Sequence, residues 1–507
     1  MSRPARPTLE RLITEIRERA TAFATDRRTL RETSTPAGQR AALRLIGVHG
    51  LDDAGEPLAA RVVDRALEAG LGEGPDAIAL PLAGAAGAAG LGPRELALMV
   101  AAGSVDLAAE DALLQDPARA ALARERMSAW RSDANERIEA NRTARHELGD
   151  ALGWPGQPWI GGRTRSHGID AALAEARALV EAGADAIVVR VPRGREMVGL
   201  QSAPPDERFP SDLEPPPAGS QRGLARVRAA LDEMGAEHGH YVYLGTATDP
   251  LAAPEQALVA AFERVDLVFA DPLDEVAASV AVERALADHA AAHDLLRRSG
   301  ATLVLSAGPL LAGPELRRGE DVAAHTRIAR SIAAQAASAA WAEASELPAD
   351  RVLLQAPFEL LASRTHMPLL AAAVLLRHVL HPAHPLVVTE PPGVPGLTWR
   401  AGLPICLLAA GGARLVLHAG AEEGLVSRAD ETRTAAALAA LLPELLHPGA
   451  GRQPRFADSI IGLATDLAAE AVETFDAAER DGWEGLAGTG SPAAASSAAH
   501  SAGILSP

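Results

Sequence analysis

The segment VVRVPRGREM sets Arg190, Arg193 and Arg195 around Gly194, directly after an apolar run. Guanidinium groups so spaced can grip a phosphate through paired N–H donors, or they can form a solvated basic loop. Other polar residues follow apolar runs in the same way. Arg163 and Arg165 open this series, Thr246, Thr248 and Asp249 continue it, and Asp271 and Asp274 come next. Ser306, Gln355, Glu359 and Glu390 follow, and His418 with Glu422 and Glu423 closes it. Arginines mixed with carboxylates suit an anionic cofactor and an amino-bearing substrate; the plainer reading is a set of polar loops. His418 ends RLVLHAG, where a lone histidine is more often a packed core residue than a ligand. His378, His381 and His384 have the i, i+3 spacing of a metal site. Pro382 and Pro385 break the helix that would align the rings, so this cluster reads as a helix end.

Some chemistry is closed to these residues. The single cysteine, Cys406, excludes disulfide frameworks and cysteine-based zinc or iron–sulfur sites. All 48 basic residues are arginine, so no side-chain amine is present to form an imine and no Walker-type phosphate loop is possible. HEXXH and GXSXG are absent, and no Gly-rich dinucleotide fingerprint follows a strand. A net charge of −18 repels phosphate backbones and argues against a nucleic-acid partner. Aromatics are only 3%, so the core must be built from Ala, Leu and Val.

The elements that carry these residues fall into two regions. Residues 8–150 read as mostly helical: Leu9, Leu12, Ile13 and Ile16 keep helical spacing, and Pro93 and Gly103 punctuate another helix. From Trp154 onward, short β-rich runs alternate with longer Ala/Leu/Glu/Arg stretches. The expected strands are Pro158–Arg163, Ala186–Val191, Tyr241–Thr246, Leu267–Asp271, Thr302–Ala307, Arg351–Ala356, Leu386–Glu390 and Arg414–Ala419. Eight strand–helix units suit an α/β fold, a parallel (β/α)8 TIM barrel with an N-terminal helical accessory region. An open doubly wound sheet is the alternative. A barrel puts the residues after the strands on one carboxyl-terminal rim. The expected division is 1–150 helical region, 151–450 barrel, 451–487 helical extension and 488–507 disordered tail. The Pro-rich stretch SAPPDERFPSDLEPPPAGS reads as a lid or interface loop. No signal-peptide core and no long apolar run occurs, so the expectation is a cytoplasmic protein with no membrane span.

Several segments together resemble the alpha (large) subunit of lysine 5,6-aminomutase. ALRLIGVHGLDDAGEPLAARVVD and MVAAGSVDL are similar to that family's N-terminal region. ALVEAGADAIVVR, RAALDEMGAEHGHYVYL and APEQALVAAFERVDLVFAD match inside the barrel, in order and spacing. The resemblance runs over roughly residues 8–450.

The resemblance implies an isomerase that uses pyridoxal phosphate and adenosylcobalamin. The reaction is a radical 1,2-shift of the terminal amino group of lysine or β-lysine. It implies a hetro-oligomer with a small cobalamin-binding beta subunit, which also supplies the lysine that holds pyridoxal phosphate. A chain with neither a lysine nor the Asp-x-His-x-x-Gly segment that ligates cobalamin agrees with that division. Carried over by position, Arg190 fits the family's arginine near the phosphate, with Arg193 and Arg195 beside it. A family serine falls at Asp249, the family's ring-stacking tyrosine at Asp274, and a substrate-side glutamate at Glu422 or Glu423, near His418. A Lys-His-Met segment is replaced around EPPGVPGLTW. A carboxylate cannot stack on a ring, which motivates a second reading: a non-catalytic paralogue acting as scaffold or regulatory partner. A third is a barrel enzyme of unrelated chemistry with another anionic substrate.

Overall fold

The computed structural model describes residues 7–52, 54–72, 74–189, 218–247, 252–277, 280–306, 324–356, 367–389, 413–418 and 454–487. Among the described residues seven α-helices precede the first strand: α1 (Leu9–Asp26), α2 (Pro36–Leu45), α3 (Leu58–Glu68), α4 (Ala79–Ala89), α5 (Pro93–Ala101), α6 (Leu107–Leu113) and α7 (Pro117–Leu152). Their starts follow capping chemistry. Thr35 precedes Pro36 and accepts the Gly38 N–H, and Asp116 precedes Pro117 and accepts the Ala118 N–H. Helices α2 to α7 bury Leu43, Leu58, Val62, Leu82 and Leu96 in a core of their own. The stripe Leu12, Ile13, Ile16 and Phe23 of α1 instead joins a separate core on the flank of the sheet.

The strands are β1 (Trp159–Arg163), β2 (Ala186–Val189), β3 (Tyr243–Ala247), β4 (Leu267–Phe269), β5 (Thr302–Leu305), β6 (Val352–Ala356), β7 (Leu386–Thr389) and β8 (Ala413–His418). Every neighbour pairs parallel, and β8 pairs back onto β1 with Trp159 opposite Leu415. This closure makes the sheet a (β/α)8 barrel and excludes the open doubly wound alternative. Between strands lie α8 (Ile169–Glu181), α9 (Gln221–His238), α10 (Ala253–Phe262), α11 (Pro272–Ala277), α12 (Val282–Ser299), α13 (Ala324–Ala344) and α14 (Met367–Leu380). After β8 comes α15 (Pro454–Ala487), which packs on α1, α13 and α14. No described helix is long and apolar enough to cross a membrane.

Small residues let the layers approach. A Cβ on Gly162 of β1 would lie 2.6 Å from Leu179 Cδ2 of α8. The outer core is almost entirely Ala, Val, Leu and Ile, including Ala172, Ala176, Val227, Leu231, Ala257 and Leu258, with Met234 among them.

The amino-terminal end of the barrel is locked by one buried carboxylate. Asp266, just before β4, accepts from Arg145 Nε of α7 at 2.6 Å, Arg228 Nη1 of α9 at 3.2 Å, Tyr241 Oη at 3.0 Å and the Leu244 N–H at 2.8 Å. Arg145 also donates to the carbonyls of Ser299 and Val265, at 2.5 and 2.9 Å. The long α7 is thereby tied to the strand ends opposite the functional mouth, where a barrel keeps its stabilising residues.

Candidate active site

Trp159, Tyr243, Leu267, Val304, Leu353, Val387 and Leu415 fill the barrel interior. Two residues on, the same alternation brings Phe269, Ser306, Gln355 and Thr389 to the inner face at the carboxyl-terminal ends. Arg163 ends β1 and holds its guanidinium 5.9 Å from the ring centre of Phe269. A cation over a half-buried aromatic ring therefore lies at the floor of the mouth. The loop after β1 is anchored by Glu175 of α8, which accepts from Arg165 N at 2.6 Å and Ser166 Oγ at 2.6 Å.

The acidic rim follows β4. Asp271 is buried; its Oδ1 accepts from Ser338 Oγ of α13 at 2.8 Å and from the Leu273 N–H at 2.9 Å. It thus caps the short helix α11. Burial holds its carboxyl well above the usual carboxylate range, and the neighbouring charge of Asp274 adds to that. Glu275 is buried as well, with Oε1 2.8 Å from His289 Nε2 of α12. That distance alone would suit an ion pair. Burial pushes His289 down to about 4, so the ring is neutral near pH 7 and the contact is a hydrogen bond, not an ion pair. Asp271 and Glu275 fasten α11 from behind, and Asp274, between them in its first turn, stays half-buried at the rim. The arrangement can offer a carboxylate to an ammonium group in a partly desolvated setting.

The sequence-derived candidates divide accordingly. Asp274 lies in α11 beside Asp271. His418 ends β8, its backbone opposite Gly162 of β1. Arg190, Arg193, Arg195, Asp249, Glu422 and Glu423 lie outside the described residues. The histidine cluster is a helix end: α14 stops at Leu380, and His381 and His384 meet edge to face at 5.3 Å. Burial pushes these two rings down to about 3 and about 4. Among the described residues no group of three or more His, Cys, Asp or Glu could hold a metal. Sequence reasoning missed Phe269, Glu275 and His289. The pair His289 and His293, four apart in DHAAAHD, was the available signal for one helix face.

Two open clefts, of about 880 and 760 Å³, lie at the junction of the N-terminal helices and the barrel, away from the mouth. Three of their arginines are engaged: Arg31 with Glu346 at 3.3 Å, Arg297 with Asp294 at 2.5 Å and Arg137 with Glu263 at 2.7 Å.

Residues 9–391 match a family described as the D-lysine 5,6-aminomutase TIM-barrel domain of alpha subunit. The chain is 29% identical over 268 residues to the lysine 5,6-aminomutase alpha subunit of Acetoanaerobium sticklandii, covering 52% of this chain and 49% of that protein. The same subunit from Fusobacterium nucleatum subsp. nucleatum is 28% identical over 268 residues, with the same shares. The chain thus spans about half the length of the curated relatives it matches. Among solved structures, a dihydropteroate synthase of Yersinia pestis is similar over 57% of this chain and 94% of its own, at 16% identity and a TM-score of 0.32.

Proposed function

The chain belongs to the family of D-lysine 5,6-aminomutase alpha-subunit TIM barrels, and from that membership we propose that it is the barrel subunit of an aminomutase acting on a lysine-type amino acid. The observation that carries this reading is the half-buried Asp274, held at the rim of a closed barrel by the anchored Asp271 and Glu275. Such a carboxylate suits the ammonium of a diamino acid.

The mouth's donor set fits a phosphate-bearing aromatic cofactor. Arg163 and Arg165 bring cationic donors after β1, and Phe269 brings an apolar ring face at the end of β4. Pyridoxal phosphate, when bound, would supply the electron-accepting chemistry that a 1,2-shift of an amino group requires. Arg163 would meet the phosphate charge, together with Arg190, which the family resemblance implies, and the neighbouring Arg193 and Arg195; Asp249, where the family has a serine, would border the cofactor without contacting its phosphate. Asp274 would hold the substrate ammonium, with His418 and Glu422 or Glu423 on the substrate side. The barrel walls would keep water from the reacting centre. The imine-forming amine and the adenosylcobalamin site belong, in this reading, to a small beta subunit, so the working form is a cytoplasmic hetero-oligomer. The proposed division of the chain is helical region 1–150, barrel 151–450, extension 451–487 and tail 488–507.

The test is co-expression with a cobalamin-domain subunit, followed by absorption spectroscopy. The expected result is a pyridoxal-imine band at about 410–430 nm, set by the cofactor's own electronics. Turnover of lysine or β-lysine should accompany it. Absence of the band with every such subunit would overturn the proposal. Tight subunit binding without turnover would favour the scaffold reading.

A further inference from the structure

Behind the mouth, α13 carries three buried polar side chains on one face, Ser331, Gln335 and Ser338, spaced i, i+4 and i+7. Ser338 holds Asp271 beyond β4. Gln335 Nε2 donates to two carbonyls at once, Ser306 O at 2.8 Å and Gln355 O at 2.5 Å. The β5–β6 ladder ends with Leu305 opposite Leu354. The amide therefore bridges the residues immediately past the last rung, where backbone carbonyls lose their strand partners.

The orientation of that amide is fixed by chemistry. Arg377 of α14 donates Nε–H to Gln335 Oε1 at 2.7 Å and Nη2–H to Ser331 Oγ at 3.1 Å. A guanidinium has no acceptor, so only the amide oxygen can face it, and both amide hydrogens are directed to the strand ends. Gln335 and Arg377 are each 1% exposed, too enclosed for solvent to substitute for either contact. No carboxylate among the described residues faces Arg377. An apolar side chain would fill this space more favourably than an unpaired buried cation, so packing alone does not account for the arginine.

We propose that Gln335 and Arg377 are positioning residues for the active site. They hold the β5 and β6 ends in register and so aim the inward side chains of Ser306 and Gln355 at the mouth. The proposal rests on the reading of that mouth as the cofactor and substrate site.

The experiment compares the full chain with Gln335→Glu, Arg377→Met and Arg377→Lys. Gln335→Glu gives Arg377 a carboxylate but removes both N–H donors. It should still unfold cooperatively, yet amide exchange in peptides covering 302–306 and 352–356 should become about tenfold faster. Peptides covering 159–163 and 186–189 should not change. Arg377→Met should show the same local acceleration, and Arg377→Lys, which can still donate to Oε1, should remain near the parent. In the complex with its small subunit, Gln335→Glu should raise the pyridoxal phosphate Kd about tenfold, the response expected when pre-aimed binding groups loosen. Parent-like exchange at both strand ends, or acceleration throughout the barrel, overturns the proposal. A parent complex that binds no pyridoxal phosphate overturns the functional reading instead, and the exchange comparison still decides whether these residues fix the strand ends.

Discussion

His289 Nε2 lies 2.8 Å from Glu275 Oε1, and both side chains are buried behind the acidic rim. Burial, the dominant effect, pushes the His289 ring down to about 4, while an unfolded histidine titrates near 6.5. A depressed pKa means that the folded state binds fewer protons. Its stabilising contribution is complete above about pH 6.5 and is lost as pH falls toward 4. The expected outcome is a melting temperature that drops over this window, with up to about 3 kcal/mol from this ring. His289→Gln, which keeps an N–H for Glu275, should flatten the slope. An unchanged slope in that variant would assign the acid sensitivity to other groups, such as the buried His293, which shifts the same way.

Glu263 predicts the opposite sign. Its Oε1 accepts from Arg137 Nη2 at 2.7 Å and Gln221 Nε2 at 2.8 Å, yet burial outweighs these contacts and raises it to about 7. A raised carboxyl pKa means that the folded state keeps the proton longer. Stability is greatest below about pH 4.5 and declines as pH rises to about 7. Glu263→Gln retains an acceptor for both neighbours and should abolish that decline, read by urea unfolding at pH 5 and pH 8. If the variant and parent lose stability equally across that interval, the assignment fails.

At the amino-terminal end, Asp266 is the common partner of Arg145, Arg228 and Tyr241. Removing it strands the Arg145 guanidinium, 5% exposed and left with carbonyl partners only, and leaves the equally buried Arg228 with Asp232 as its carboxylate. Asp266→Ala should cost about 3–5 kcal/mol, the range for breaking a buried pair from one side. Since these contacts lie at the end opposite the mouth, protein that still folds should bind ligands at the mouth as the parent does. Circular dichroism during denaturant titration gives the first quantity and cofactor titration the second.

The fold was legible where local rules and tertiary packing agree. AIVV and TLVL read as strands because residues buried on both faces are continuously apolar. Gln221–His238 begins after Ser220 and stops at Gly239, a cap and a left-handed stop visible in the sequence. The stretch 276–298 reads as one Ala/Leu/Glu/Arg helix, yet it holds the end of α11 and most of α12, with Val280 and Ala281 outside both. No Gly or Pro marks that break; Leu273 and Val276 before it and Val282 after it all pack into the flanking core. At the site, Asp271 and Asp274 were legible because they follow a strand. Gln335, Ser338, His289 and Arg377 were not, because each lies in a helix and owes its role to a contact many residues away. Arg377 in LLRHVL has the sequence appearance of a solvated last-turn cation.

Asp274 gives a prediction that joins stability to binding. Asp271 is held above the usual carboxylate range by burial and, next, by the charge of Asp274. Asp274→Asn removes that charge, so Asp271 should ionise at lower pH. A raised folded pKa costs stability as pH rises, so lessening the shift should stabilise the variant near pH 7.5, with little effect near pH 4. Binding should move the other way. Asp271 is committed to Ser338 Oγ and the Leu273 N–H, so it cannot take over at the rim. The KM for an amine-bearing substrate should rise about tenfold, the loss expected for one partly desolvated ammonium–carboxylate contact. A gain in melting temperature together with weaker substrate binding is the pattern of a carboxylate kept for function against its own stability. Neutral-pH melting and KM both equal to the parent's would mean that Asp274 neither loads Asp271 nor meets the substrate.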